Sequence, residues 1–170
     1  MYAAIDFETA NGSRNSACAL GFVKFSKKEI ISSESYLIQP HEDNFHWMNT
    51  SIHKITWEDV KNEKIFPEIW KNILPQLSDV EFIAAHNAGF DKSVLNASCK
   101  HYLLNTIGKN FVCTWKDIAD KLWRNLPDYK LKTICRYLNI PLHHHKVRSD
   151  TEACAKIVMR AFNEGWQFSI

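Results

Sequence analysis

Asp6 and Glu8 stand two residues apart in the opening stretch MYAAIDFETA, interleaved with Ile5 and Phe7. In an extended chain successive side chains alternate faces, so the two carboxylates share one face and the two apolar residues share the other. Two like charges about 4 Å apart repel by about 4 kcal/mol at an effective dielectric of about 20. Either water at a solvated strand edge relieves that repulsion or a bound cation does, and the second reading calls for more carboxylates elsewhere in the chain.

Two further carboxylates answer that call. Asp91, in AAHNAGFDKSVL, opens a helical pattern directly after an apolar run of strand length, and Asp150, in HHHKVRSDTEA, lies inside an S-x-x-E box formed by Ser149 and Glu152 that predicts a helix start. The helix dipole favours a carboxylate at either place, so a capping role and a ligand role both stand for each residue taken singly. The combination is more specific than any member: four carboxylates in three places, with His145 five residues ahead of Asp150.

The elements that must position these groups are legible from periodicity. Strands are expected over 1–7, 17–25 and 30–38, the last two joined by the polar turn SKKE into an antiparallel hairpin. Residues 41–56 read as irregular, with Phe45 and Trp47 either stacking on nucleic-acid bases or forming a small apolar cluster under a loop; Thr56 with Asp59 marks a helix start. From Ile65 to Leu77 apolar residues recur at three and four, which predicts an amphipathic helix. An apolar strand over 80–85, a helix over 90–104, a short strand over 111–113, helices over 114–123 and 130–138, and a last helix with Ala153, Cys154, Ile157, Val158, Ala161 and Phe162 on its buried stripe complete the chain. That order gives an α/β architecture with a mixed five-stranded sheet, three antiparallel strands followed by two parallel ones, flanked by helices.

The 170 residues, 45% hydrophobic and 24% charged, fit one globular domain over 1–170 and exclude disordered and collagen-like classes. Five Cys with no C-x-x-C pair read as free thiols in a reducing compartment. With no basic leader, no run long enough to span a bilayer and no long tail before Ile170, a soluble, cytoplasmic protein without a membrane partner is expected. The net charge of +2 conceals a basic block: residues 109–148 carry nine Lys/Arg against three Asp. That block fits a polyanionic partner, or else a solvated helical surface.

D-x-E in a first strand, HN-x-x-FD in the middle and H-x4-D near the end together resemble the three motifs of the DEDDh 3′-to-5′ exonucleases, the group of DNA polymerase III epsilon-like proofreading subunits, ribonuclease T and the oligoribonucleases. The resemblance runs from Ile5 to about Val158 and takes in GFVKF and YLNIPLHHH. It implies a ribonuclease H-like fold and a metal-dependent 3′-to-5′ exonuclease acting on 3′ ends of single-stranded nucleic acid, DNA ahead of RNA, releasing nucleoside monophosphates. It implies that Asp6, Glu8, Asp91 and Asp150 hold two Mg²⁺ or Mn²⁺ ions and that His145 is the general base, with His144 its alternative. Phe7, Thr9 and Ala10 would meet the terminal nucleotide, with His86, Asn87 and Phe90 shaping the other side. A polymerase partner is not implied by any residue. DFETAN departs from the family's D-x-ETTG at Ala10 and Asn11, and HKVRSDTEA departs at Val147 and Arg148, which bears on substrate preference. The competing readings are a non-catalytic nucleic-acid-binding module of the same fold and a zinc enzyme built on the three consecutive His.

Overall fold

The computed structural model describes residues 1–168. Strands β1 (Tyr2–Thr9), β2 (Ala17–Phe25) and β3 (Ile30–Leu37) form an antiparallel meander; β4 (Phe82–Ala85) and β5 (Asn110–Cys113) add to it in parallel, giving the order β3-β2-β1-β4-β5. The five-stranded mixed sheet is therefore as the element order predicts. Helices α1 (Trp47–His53), α2 (Trp57–Val60), α3 (Phe66–Ile73) and α4 (Gly89–His101) precede β5, and α5 (Asp120–Leu122), α6 (Leu131–Tyr137) and α7 (Val147–Asn163) follow it. No helix among the described residues is long and apolar enough to cross a membrane.

The alternation in β1 sorts the two cores. Tyr2 and Ala4 pack with α7 residues such as Ala153, Cys154, Ile157 and Val158, whereas Ala3, Ile5 and Phe7 pack with α3 and α4 through Phe66, Ile69, Val94 and Leu95. Asp6 and Glu8 continue the Tyr2–Ala4 row, so they lie on the α7 face at the end of the central strand. Opposite Asp6 stands Gly21. A Cβ there would meet Thr151 Oγ1 at 2.0 Å and the Val147 carbonyl at 2.6 Å, so the glycine is what lets the first turn of α7 lie directly on the sheet. Just beyond Glu8 the β1–β2 register slips, with Thr9 opposite Ala17. Such bulges re-aim side chains beside functional sites.

Three local expectations are corrected. The stretch 41–56 is not irregular throughout: it contains α1, whose start is capped by the His46 ring accepting from the Met48 amide at 3.3 Å. The helix expected to 77 breaks at Ile73 into a 3₁₀ turn over Leu74–Leu77, where Pro75 supplies no amide to continue the α-helical ladder. The S-x-x-E box does not cap α7, which begins two residues earlier at Val147. Ser149 accepts instead from the His143 amide at 2.8 Å, and Glu152 accepts from Ser33 Oγ at 2.6 Å. Thr56 and Asp59 do form the predicted box, on α2.

Candidate active site

Three separate elements bring the four carboxylates together. Asp6 and Glu8 come from the end of β1, Asp91 from the first turn of α4 and Asp150 from the first turn of α7. β4 pairs with β1 only through Ala3 and Ala4, so the Phe7 amide extends past the ladder. Asp91 takes the place of the missing strand: its Oδ1 accepts that amide at 2.9 Å, and the residue is 1% exposed. Asp150, also buried, accepts the His145 amide at 2.8 Å.

Burial pushes all four carboxyls upward. Asp6 lies well above the carboxylate range, first because it is buried and then because Asp91, Asp150 and Glu8 surround it with like charge. Glu8 is raised to about 7 by burial and Asp150. Asp91 is raised to about 8 by burial, against the lowering effect of the Phe7 amide. Asp150 is raised by burial while His144 and the His145 amide pull it down. Among the described residues no hydrogen bond or cation offsets these forces at Asp6 or Glu8. Four carboxylates gathered at one site, with Asp6 and Glu8 lacking a compensating partner among the described residues, fit a hard divalent cation, which oxygen ligands and water suit.

The histidines divide in an unanticipated way. His144 Nδ1 lies 3.2 and 3.3 Å from the two oxygens of Asp150, and its ring stacks on that of His145 at 3.8 Å. His145 itself touches Asp150 through its backbone amide, and its φ of 65° places it in the left-handed region. His144, His145 and Asp150 thus form one ligand-competent group. The His145 ring lines a groove with Glu8, His53 and Val147; burial and His144 lower its pKa while Asp150 opposes them.

The remaining predicted residues are distributed unevenly. Phe7 directs its ring into the α3 and α4 core beside Phe66, so its amide and not its ring serves the site. Thr9, the last residue of β1, and Ala10 just beyond it are buried. Phe90 is half-buried beneath the Arg14 guanidinium, 4.4 Å from its ring centre. Asn87 is exposed and left-handed, with a φ of 57°. His86 is a strut: its Nδ1 meets Thr114 Oγ1 at 2.9 Å, and burial, with His144 second, pushes it down to about 4. Phe45 is half-buried, whereas Trp47 is 72% exposed and belongs to no core.

Two supporting residues carry no sequence signal. His53, buried on α1, accepts the Ile55 amide at Nδ1, which leaves Nε2–H to donate to the Thr9 carbonyl at 3.2 Å. Asn49 donates to the same carbonyl at 3.0 Å. Together they pin the end of β1, immediately after Glu8. Gly21 does carry a signal, since a glycine inside an apolar strand marks a close approach.

Comparison with known proteins places this geometry. The family model described as exonuclease matches residues 3–158. A PolC-type DNA polymerase III of Caldanaerobacter subterraneus subsp. tengcongensis is 29% identical over 147 residues, covering 83% of this chain and 10% of that protein. Exodeoxyribonuclease 10 of Escherichia coli K12 is 27% identical over 172 residues, covering 98% of this chain and 71% of that one. The chain therefore spans about a tenth of the PolC-type relatives. Among solved structures, exonuclease X in complex with 5′ overhanging duplex DNA has a TM-score of 0.76 at 24% identity, covering 98% of this chain and 95% of that one. The nuclease domain of 3′hExo, a DEDDh family member bound to rAMP, has a TM-score of 0.83 at 17% identity, covering 99% and 94%. These two likenesses concern the ribonuclease H-like fold.

Proposed function

The chain belongs to the exonuclease family, and from that premise we propose that it is of the DEDDh group and removes nucleoside monophosphates from the 3′ ends of single-stranded nucleic acid, DNA ahead of RNA, as one domain over 1–170. The observation that carries this reading is the gathering of Asp6, Glu8, Asp91 and Asp150 at one partly buried site with His144 and His145 at its edge. The family is divalent-metal dependent, and here Asp6, Glu8, Asp91 and Asp150 would hold two ions, Mg²⁺ or Mn²⁺. Bound there, such ions supply Lewis-acid stabilisation of charge on the phosphate undergoing in-line displacement.

The chain's own residues account for the rest. His145, on the groove beside Glu8, takes the proton of the attacking water; a lowered pKa keeps its imidazole neutral, as a general base must be. His144 holds Asp150 in orientation. The basic block over 109–148 tracks the phosphate backbone, so binding weakens as salt rises. The preference for DNA draws support from the names of the relatives, DNA polymerase III and exodeoxyribonuclease. Five buried free cysteines accord with a cytoplasmic setting.

The test is incubation with matched DNA and RNA oligomers, linear and covalently closed, with Mg²⁺ or Mn²⁺ restored after chelation. Stepwise shortening from the 3′ end, faster on DNA and absent from the closed circle, is expected. Binding without nucleotide release would leave a non-catalytic module, and cleavage of the circle would make the enzyme an endonuclease.

A further inference from the structure

His143, His144 and His145 are more imidazoles than one general base requires, and the fold does not use them alike. In an extended chain neighbouring side chains point to opposite sides. Here the Lys146 amide donates to the His143 carbonyl at 3.1 Å, closing a turn with His144 and His145 at its centre. His145, with its φ of 65°, takes the left-handed place that glycine or asparagine usually fills, so a side chain is kept there at a conformational cost. The turn sets the two rings side by side, 3.8 Å apart and 22° from parallel. His143 lines a different groove, with Pro141, Lys146 and Ser149.

One ligand atom from each of His144, His145 and Asp150 lies within 4.8 Å of the other two. One edge of that triangle already has the spacing of metal ligands. His144 Nδ1 stands 3.2 and 3.3 Å from the Asp150 oxygens, and tetrahedral ligands with bonds of about 2.0–2.1 Å lie about 3.3 Å apart. The His145 amide orients the carboxylate through Oδ2 at 2.8 Å, which leaves lone pairs on Oδ1 for a further bond. Both rings are exposed, so ions reach them from solvent and a change of rotamer can close the remaining distance. Two nearby histidines are committed elsewhere: His53 spends both nitrogens on the Ile55 amide and the Thr9 carbonyl, and His86 Nδ1 lies on Thr114.

Two imidazole nitrogens and one carboxylate oxygen are poor donors for Mg²⁺ and good ones for a borderline transition-metal dication such as Zn²⁺, which accepts water in a fourth place. We propose that the 143–146 turn forms an inhibitory metal site: His144, His145 and Asp150 bind a dication of the Zn²⁺ class, and its binding stops hydrolysis. His145 then has no lone pair to receive a proton, and Asp150 is withdrawn from the carboxylate cluster. The site stands on its own geometry, whereas the inhibition rests on the exonuclease reading above.

Two measurements test it. In the first, Zn²⁺ affinity is read by competition with a chromophoric chelator, with excess Mg²⁺ present to occupy the oxygen donors. The parent should bind one Zn²⁺. His144→Ala and His145→Ala should each weaken binding by at least the roughly tenfold that follows loss of a ligand's supporting residue, and His143→Ala should leave it unchanged. In the second, shortening of oligothymidylate in Mg²⁺ is followed as Zn²⁺ is added, each protein against its own Zn²⁺-free rate. The Zn²⁺ concentration for half-inhibition should rise about tenfold or more in His144→Ala and stay at the parent value in His143→Ala. Equal Zn²⁺ affinity in the parent and His144→Ala would overturn the site. A parent that binds Zn²⁺ and is activated or unaffected by it would overturn the inhibition. A parent that binds Zn²⁺ through His144 yet shortens no oligomer in Mg²⁺ would sink the exonuclease reading, and the inhibition with it, while the site stands.

Discussion

Asp6 and Asp91 are held by the sheet, whereas His144 and His145 are held by one carboxylate. On the first side, β1 is the central strand, pinned at its end by Asn49 and His53, and Asp91 is locked to it through the Phe7 amide. On the second side, three exposed histidines lie on a loop between α6 and α7, attached to the site chiefly through Asp150. The half that gathers negative charge is prebuilt by secondary structure, and the half proposed to handle protons depends on a side chain belonging to the first half. A cation that claims Asp150 competes there with the His144 ring.

The sharpest break of that contrast is Asp6→Asn. Assayed with Mg²⁺ or Mn²⁺ restored after chelation, it should lower activity by about 10³-fold or more, since charge stabilisation of the phosphate is lost. The metal-free protein should stay folded and melt no lower than the parent. Near-parent activity would remove Asp6 from the site.

His145→Ala attacks the other half and should lower kcat by about 10²-fold, with KM nearly unchanged. In the parent, activity should rise with pH through the titration of a group below the ordinary imidazole value of about 6.5, because burial and His144 disfavour the imidazolium of His145. That limb should disappear in the variant. His144→Ala should retain most of kcat. A dead His144→Ala beside an active His145→Ala would exchange their roles.

Gly21→Ala tests the joint between the halves. Its methyl collides with the Val147 carbonyl and the Thr151 hydroxyl, so the start of α7, and Asp150 with it, must move away from Asp6. The apparent affinity for Mn²⁺ should weaken by about tenfold or more, the scale seen when ligand-orienting residues are lost. Overpacking should cost about 1–3 kcal/mol of stability. Unaltered Mn²⁺ titration would show that Asp150 is held from elsewhere.

The smallest effect concerns pH and metal-free stability. Asp6, Glu8 and Asp91 bind protons more tightly folded than unfolded, so their contribution is fullest below about pH 4 and declines as pH rises toward about 7 for Glu8 and about 8 for Asp91. His53, His86 and His145, with lowered pKa, oppose this trend only below about pH 6.5. In chelator, Tm should therefore fall by a few degrees between about pH 6.5 and 8, at about 2–4 °C per kcal/mol for a domain of this size. Asp6→Asn should flatten the fall, as should Mn²⁺. A Tm that climbs over this interval would contradict the buried cluster.

The two halves also differ in how well the sequence discloses them. Alternation places Asp6 and Glu8 on one face of β1, and the apolar strand before Asp91 places that residue, because both depend on periods that a chain carries locally. The histidine loop depends on one left-handed residue, His145, whose φ decides which imidazole meets Asp150; spacing carries no trace of it. Ser149 and Glu152 have the letters of a capping box but are drawn to His143 and Ser33, partners that only the tertiary structure supplies. For α1 the reason is similar, since Asn49 and His53 are fastened to Thr9 and the exposed Trp47, Met48 and Ile52 give no buried stripe to read.

The first turn of α7 on β2, permitted by Gly21, has a consequence in time. Asp150 follows Asp6 by 144 residues, so at about 5–20 residues per second roughly 7 to 30 s separate them during synthesis. In that interval the β1–β3 meander can pair locally, yet its carboxylates lack the helix that completes their site. The four-carboxylate site is complete only once α7 has been made and laid on β2.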